Sequence, residues 1–360
     1  MRGTAAFIFV VLFPAALAAE PSTNSVSSAE PEWTLVAGGD VMMARTIGVR
    51  MGRNGAAKAL AGVGSILSKA DIAFCNLESI LGTSDNEKMF PEKCYNFLAA
   101  TPTVRALTTA GVDTVSLANN HAMDYNGKAL AQTRLLLWKQ GIYPFGAGKD
   151  SVQSHLPATF VVRGTTVAFL GYGIAHSTWV WSGASRPGVS ALDPRRIRQD
   201  IRKARKGADL VVVSLHWGEE YNHYPSKRQI QLAHGLVEGG ADIILGHHPH
   251  VLQGVEEYQG KVIAYSLGNL LFDQKKNAQD ENILLRISLQ RNRVRRVELV
   301  PVDRREVFYP AVAMGVKGEK ILSDVQRYSL PLQSTGTLTG LISFALPAEA
   351  QPPKYAEATP

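Results

Sequence analysis

The chain has 360 residues, 45% of them hydrophobic and 19% charged, with a formal net charge of +7. That balance is ordinary for a folded globular enzyme, and the length allows one large domain or two medium ones. The basic excess comes with no nucleic-acid motif, which excludes nucleic acid as a partner.

At the N-terminus, Arg2 supplies a small positive region and residues 7–17 an apolar run. Ala16-Leu17-Ala18 or Leu17-Ala18-Ala19 offers a small-residue cleavage site. The run is too short and Pro-interrupted for a comfortable membrane span. Residues 1–19 are therefore expected to be a signal peptide, cleaved on export to the periplasm or the medium. Membrane anchoring by an uncleaved segment is the alternative. No cysteine near the cleavage site offers a lipid attachment. Residues 20–32 read as a polar linker, residues 33–305 as the folded domain, and residues 306–360 as a C-terminal extension.

Within the domain, residues 33–38 form a β-type run closed by Gly39-Asp40. A Gly-rich helical stretch leads to Ala70-Asp71, and strand 72–77 closes with Asn76 and Glu78. Residues 82–95 read as a surface excursion. One pattern then recurs three times: helix, Gly, apolar strand, polar cluster. Thr101-Pro102 opens a helix that stops at Gly111, before strand 112–117 and Asn119-Asn120-His121. Asp193-Pro194 opens the second, ending at Gly207, before strand 210–215 and His216-Trp217-Gly218. The third runs from about Ser226 to Gly239-Gly240, before strand 241–245 and Gly246-His247-His248-Pro249-His250. Thr or Asp caps an orphan N–H, Pro needs none, and Gly supplies the left-handed closing residue. Short apolar strands between helices read as parallel βα units, and ligands in such sheets bind beyond the carboxyl ends. The three clusters fall there.

An extra strand pair lies near 159–171, followed by an aromatic loop with Trp179 and Trp181. Strand 262–267 ends at Gly268-Asn269. Segments 283–289 and 294–302 alternate apolar and polar positions and read as a hairpin at the sheet's edge. The pattern weakens after Val307, and a disordered tail is expected from Leu346. Two basic concentrations stand out. One is the helix with Arg195, Arg196, Arg198, Arg202, Lys203, Arg205 and Lys206; the other holds Arg291, Arg293, Arg295, Arg296, Arg304 and Arg305. They read as solvated faces or as attraction for an anionic polymer. Cys75 and Cys94 leave two readings open, a disulfide or a buried filler at Cys75.

The strand ends collect Asp40, Glu78, Asn120, His121, His216, His248 and His250. Two carboxylates, an amide and several imidazoles suit zinc, manganese or iron and are too nitrogen-rich for calcium. So many ligands suit a pair of metals better than one tetrahedral ion. A neighbouring His stays free to protonate a leaving oxygen. Asp124 reads as orienting His121 or as capping the helix from about Lys128. Ser266 and Asn269 read equally as a strand-exit turn. Trp179, Trp181 and Tyr221 read as packing or as a cleft wall.

Gly39-Asp40, Asn76-Leu77-Glu78, Asn119-Asn120-His121-Ala122-Met123-Asp124, His216-Trp217-Gly218, Gly246-His247-His248-Pro249-His250-Val251 and Ser266-Leu267-Gly268-Asn269 occur in that order. Over residues 33–303 the chain resembles the CapA family of capsule and poly-γ-glutamate synthesis proteins, within the calcineurin-like metallophosphoesterases. The resemblance implies a four-layer αββα sandwich, two mixed sheets flanked by helices. It implies Asp40 as the first metal carboxylate, Glu78 as the bridging one, Asn120 as the amide ligand and His216, His248 and His250 as imidazole ligands. His121 is then the general acid, with Asp124 beside it. Asn119, His247, Ser266 and Asn269 stand behind the ligands or toward substrate, and His247 competes with His248 for a metal. Met42 stands where the superfamily commonly has His, so two divalent ions are expected, or one if that loss empties a site. The implied activity is hydrolysis of a phosphoester or a γ-glutamyl-type amide in an anionic envelope polymer. The alternative is a non-catalytic, polymer-binding accessory to capsule-synthesis machinery at the membrane; a nucleotide phosphatase would share the chemistry.

Overall fold

Strand Glu32–Val41 shows how the layers arise. Trp33, Leu35 and Ala37 face one apolar cluster and Val36 faces another, so both faces are covered. The pairing register with strand Ile72–Leu77 shifts between Ala37 and Asp40, and Val41 then lies with Val36. That irregularity re-aims Asp40, as bulges next to functional sites do. Next door, Ile72 and Phe74 point inward while Ala73 and Cys75 point outward.

The computed structural model describes residues 31–83, 93–174, 177–274, 281–304, 309–333 and 340–350. The expected signal peptide, most of the linker, the middle of the 82–95 excursion, Arg305 and the end of the tail lie outside these residues. Among the described residues, no helix is long and apolar enough to cross a membrane.

Two mixed sheets form the interior. The first runs Ala311–Val312, Arg293–Asp303, Glu281–Gln290, Glu32–Val41, Ile72–Leu77, Thr114–Ser116, Tyr143–Phe145. Short strand Asn269–Leu271 also joins Glu32–Val41, in parallel. The second runs Val255–Tyr258, Lys261–Ala264, Ile243–His247, Leu210–His216, Thr165–Gly173, Ala158–Val162. Their facing sides share one cluster, with Leu35 and Phe74 meeting Phe169, Val212 and Leu245. Phe74 stacks on Phe169 at 6.0 Å and 23° across the gap. The outer face of the first sheet is covered by helices Arg45–Asn54, Ala61–Leu67, Arg105–Ala110 and Gly127–Lys139 through Ile47, Val63, Leu107 and Leu130. Helices Pro194–Ala204 and Lys227–Glu238 cover the second through Ile197, Ile201, Ala233 and Leu236. The order is helices, sheet, sheet, helices.

Asp193 accepts from the Arg195 N–H ahead of Pro194, and Ser226 and Gln229 form a reciprocal capping box. Thr101 caps nothing: it lies inside a 3-10 turn, Thr101–Val104, that runs into helix Arg105–Ala110 and stops at Gly111 with φ 80°. The hairpin read as an edge is not one, because Glu281–Gln290 also pairs with Glu32–Val41, Leu289 opposite Trp33. Beyond residue 306 the chain forms helix Gly315–Ser329, whose Ile321, Leu322, Val325 and Tyr328 join the inner cluster. Its start carries no side-chain cap, which is why the sequence did not announce it. Cys75 is a free, buried thiol and Cys94 a free, exposed one.

Candidate metal centre

Three parallel strand ends place Asp40, Asn76 and Asn269 side by side, because Asp40 is in register with both amides. Close backbone approach makes this possible. A Cβ on Gly39 would sit 2.0 Å from the Gly268 carbonyl oxygen, and one on Gly246 would sit 1.9 Å from that of Tyr265. In the facing sheet His216 and His247 are in register, so both side chains emerge on the same side.

Asn76 Nδ2 donates to Asp40 Oδ1 at 2.8 Å and lies 3.3 Å from His216 Nδ1. His216 Nε2 reaches Asn120 Oδ1 at 2.8 Å. The main-chain N–H of His248 donates to Asp40 Oδ2 at 3.2 Å. His250 Nδ1 sits 3.4 Å from Asp40 Oδ2 and bonds Asn269 Oδ1 at 2.9 Å. Glu78 Oε1 lies 3.7 Å from His250 Nε2, 3.8 Å from His121 Nε2 and 3.9 Å from His216 Nε2. All seven expected ligand and acid residues thus converge, each buried.

The remaining candidates hold the frame. Asn119 donates to Asn76 Oδ1 and to the Leu77 carbonyl, and accepts from the His121 N–H. His247 is fully buried at the base, its Nδ1 3.3 Å from Asp40 Oδ1 but misaligned for a hydrogen bond. His248 stands closer to the other imidazoles, its ring 4.6 Å from that of His216. Ser266 donates to the Val251 carbonyl and accepts from the Gly268 N–H, fastening the turn behind His250. Asp124 Oδ2 bonds His121 Nδ1 at 2.6 Å, while the following helix is capped by Asn126 instead. Asp124 therefore orients the imidazole.

Sequence reasoning gave three residues of the site no role. Asn76 links Asp40 to His216. Lys93 reaches Asp124 Oδ1 at 2.5 Å, the Asn120 carbonyl at 3.0 Å and His121 Nδ1 at 3.2 Å. Its place in the supposed excursion hid it. Glu220 lies in the strand exit after His216, with a carboxylate oxygen grouped with ring nitrogens of His248 and His250. The segment Gly218-Glu219-Glu220 directly after a His-bearing strand was the available signal. One basic side chain left its expected surface: Arg304 is fully buried and donates to the Phe272 carbonyl, whereas Arg205 stays part-exposed and pairs with Asp242. Tyr221 accepts a bond from Gln274 beside His250, whereas Trp179 lies under the Arg186 guanidinium.

Burial shapes the electrostatics. It pushes Glu78 well above the usual carboxylate range, with Asp40 and Glu220 adding to the rise and His250 and Lys93 opposing it. Burial would raise Asp40 too, but His247 and His250 hold it well below its ordinary value. Burial lowers His216 strongly and His121 to about 4, the latter against the pull of Asp124. His250 is the exception: Glu78 and Asp40 overcome burial and raise it to about 9.

The residues fit a divalent cation on their own chemistry. Both Glu78 carboxylate oxygens and both His247 ring nitrogens are buried without a hydrogen-bond partner. Buried polar groups are normally satisfied, so these atoms have valence to spare. Asp40, Glu78 and His250 present ligand atoms within 4.8 Å of one another. A mixed carboxylate and imidazole set of this kind suits zinc, manganese or iron.

The four layers thus carry this donor set at the carboxyl ends of their parallel strands. The chain belongs to the family of bacterial capsule synthesis proteins PGA_cap, whose family model matches residues 34–274. The PGA biosynthesis protein CapA of Bacillus subtilis (strain 168) is 34% identical over 302 residues, covering 83% of this chain and 79% of that one. A putative 5'-nucleotidase from Staphylococcus aureus, solved with alpha-ketoglutarate, aligns with TM-score 0.47 and 12% identity over 82% of this chain and 58% of its own. The calcineurin-like phosphoesterase YfkN from Bacillus subtilis aligns with TM-score 0.41 and 13% identity over 82% of this chain and 96% of its own.

Proposed function

We propose that this chain is an exported metal-dependent hydrolase of capsule, poly-γ-glutamate or related envelope polymer metabolism, cleaving a phosphoester or a γ-glutamyl-type amide. One observation carries the reading: Glu78, fully buried and without a hydrogen-bond partner at either oxygen, faces three imidazoles. A structural carboxylate would not be left so.

Asp40, Glu78, Asn120, His216, His248 and His250 would hold one or two divalent ions. Bound there, such ions supply Lewis acidity and make water a nucleophile near neutral pH. The chain's own residues do the rest. Asp124 accepts a hydrogen bond from the Nδ1–H of His121, which leaves Nε2 facing the Glu78 carboxylate, able to accept a proton there and then pass it to a leaving oxygen or nitrogen. Phe97 stacks on the same ring at 3.9 Å and fixes its plane. Lys93 pairs with the other Asp124 oxygen and lies 3.2 Å from His121 Nδ1, so it braces both members of the dyad.

One observation favours the second reading, an accessory that binds an anionic polymer. Met42, at the position where the superfamily commonly has His, is fully buried with its sulfur accepting the Ala44 N–H at 3.1 Å, so the first motif offers one donor fewer. The test is turnover of chromogenic phosphoesters and of γ-glutamyl oligomers by the purified chain loaded with manganese, iron or zinc. Metal-dependent turnover that falls by about 10²–10⁴ in His121→Asn is expected. Metal binding without turnover of either class would leave the accessory reading.

A further inference from the structure

The strand that delivers His216 continues into Trp217-Gly218-Glu219-Glu220-Tyr221, and the path of this exit is unusual. Gly218 turns it with φ 87°, and a Cβ at that position would sit 2.6 Å from the side-chain nitrogen of Gln229. Tyr221 follows at φ 66°, and its N–H donates to the Pro249 carbonyl at 2.8 Å. Pro249 sits between His248 at φ 94° and His250 at φ 57°. Three non-glycine residues in the left-handed region within two stitched segments store strain, and strain of this kind collects at functional sites.

The product of that strain is a second ligand group. Glu220, His248 and His250 present ligand atoms within 4.8 Å of one another, as Asp40, Glu78 and His250 do. The groups meet at His250, so they describe adjacent positions. They also bring three carboxylates to one set of imidazoles, an arrangement that calls for positive charge. Glu220 is exposed while the other members are buried, so it stands on the open side where an ion enters. Met42 turns its sulfur to the Ala44 N–H, and the first motif contributes one carboxylate and no nitrogen.

We propose that Glu220 is a metal ligand, forming with His248 and His250 a cation position beside the one that Asp40, Glu78 and His250 define. The proposal rests on the reading of this site as a metal centre. It predicts that the loop after His216, and not the first motif, decides whether the centre holds one ion or two.

The test is Mn(II) binding to the chelator-stripped full chain, by calorimetry and by electron paramagnetic resonance. Two ions with a spin-coupled signal are expected in the wild type. In Glu220→Gln one ion is expected to be lost or weakened by about 100-fold or more, the coupled signal giving way to that of an isolated ion. Glu220→Asp, which keeps a carboxylate, is expected to retain part of the second site. Since Glu220 is exposed, the thermal midpoint of the metal-free protein should not move. Unchanged stoichiometry and affinity in Glu220→Gln, whether the wild type binds two ions or one, overturns the proposal and leaves the metal centre standing. A wild type that binds no Mn(II), iron or zinc overturns both.

Discussion

At the amino ends of the parallel strands, Asp71, Asp113, Asp209 and Asp242 accept from the main-chain N–H groups of Thr34, Ala73, Thr166 and Val211 at 2.7–2.8 Å. Asp242 also pairs with Arg205 and Lys261. At the carboxyl ends of the same sheets, Asp40 takes only one side-chain amide and one N–H as hydrogen-bond donors outside the imidazoles, and Glu78 takes none. One residue chemistry thus serves two purposes. A carboxylate satisfied by main chain fastens a strand, and one left unsatisfied in a buried place retains the capacity to hold a cation.

The comparison breaks most sharply at Asp40. Asp40→Asn keeps the shape and removes the charge, so metal affinity should fall about a thousandfold, roughly one ligand's share of a site's binding free energy. The metal-free protein should lose a modest amount of stability as well, since His247 and His250 favour the ionised Asp40 in the folded state; a Mn(II) titration beside thermal unfolding checks both. A large loss of metal-free stability would show Asp40 to be structural after all.

Acid should expose the same asymmetry. His121 titrates at about 4 when folded and near 6.5 when unfolded, so between those values the unfolded chain binds the extra proton. Stability present above pH 6.5 should therefore be lost as pH falls toward 4, by on the order of 3 kcal/mol from this residue. His216 acts in the same direction. Urea unfolding of the metal-free protein at pH 7 and pH 4 should show a smaller drop for His121→Asn than for the wild type. Equal drops would count against the burial account.

The smallest effect belongs to the other pole. Asp242→Ala leaves the Val211 N–H unsatisfied, while Arg205 and Lys261 remain partly in water and their pairing is screened. About 2 kcal/mol of stability should be lost, read from the denaturant midpoint, with metal affinity unchanged. A loss of metal binding as well would mean that the two poles are coupled.

Much of this division was legible in the sequence. Three helix, Gly and strand units placed His121, His216, His248 and His250 beyond strand ends, because capping and periodicity are local signals. The αββα layering came from the ordered motifs, since neither sheet can be assembled from neighbouring residues alone. What stayed hidden was long-range or irregular. Lys93 reaches Asp124 from a segment without periodicity, and Glu220 depends on left-handed residues that no pattern announces. The four strand-starting aspartates were in view at each Asp-strand junction, yet a single Asp before a strand reads as a turn residue until its partner is known.

The strand carrying Asp40 has its antiparallel partner in Glu281–Gln290, and Trp33 Nε1 donates to the Arg291 carbonyl, 258 residues away along the chain. A contact of such sequence separation closes late, since loop entropy must be met first. A ribosome-bound chain ending before residue 281 would own every candidate metal ligand and still lack the strand that pairs with the one carrying the first of them. Assembly of the centre is thereby coupled to completion of the polypeptide, and truncated chains should be unable to sequester metal.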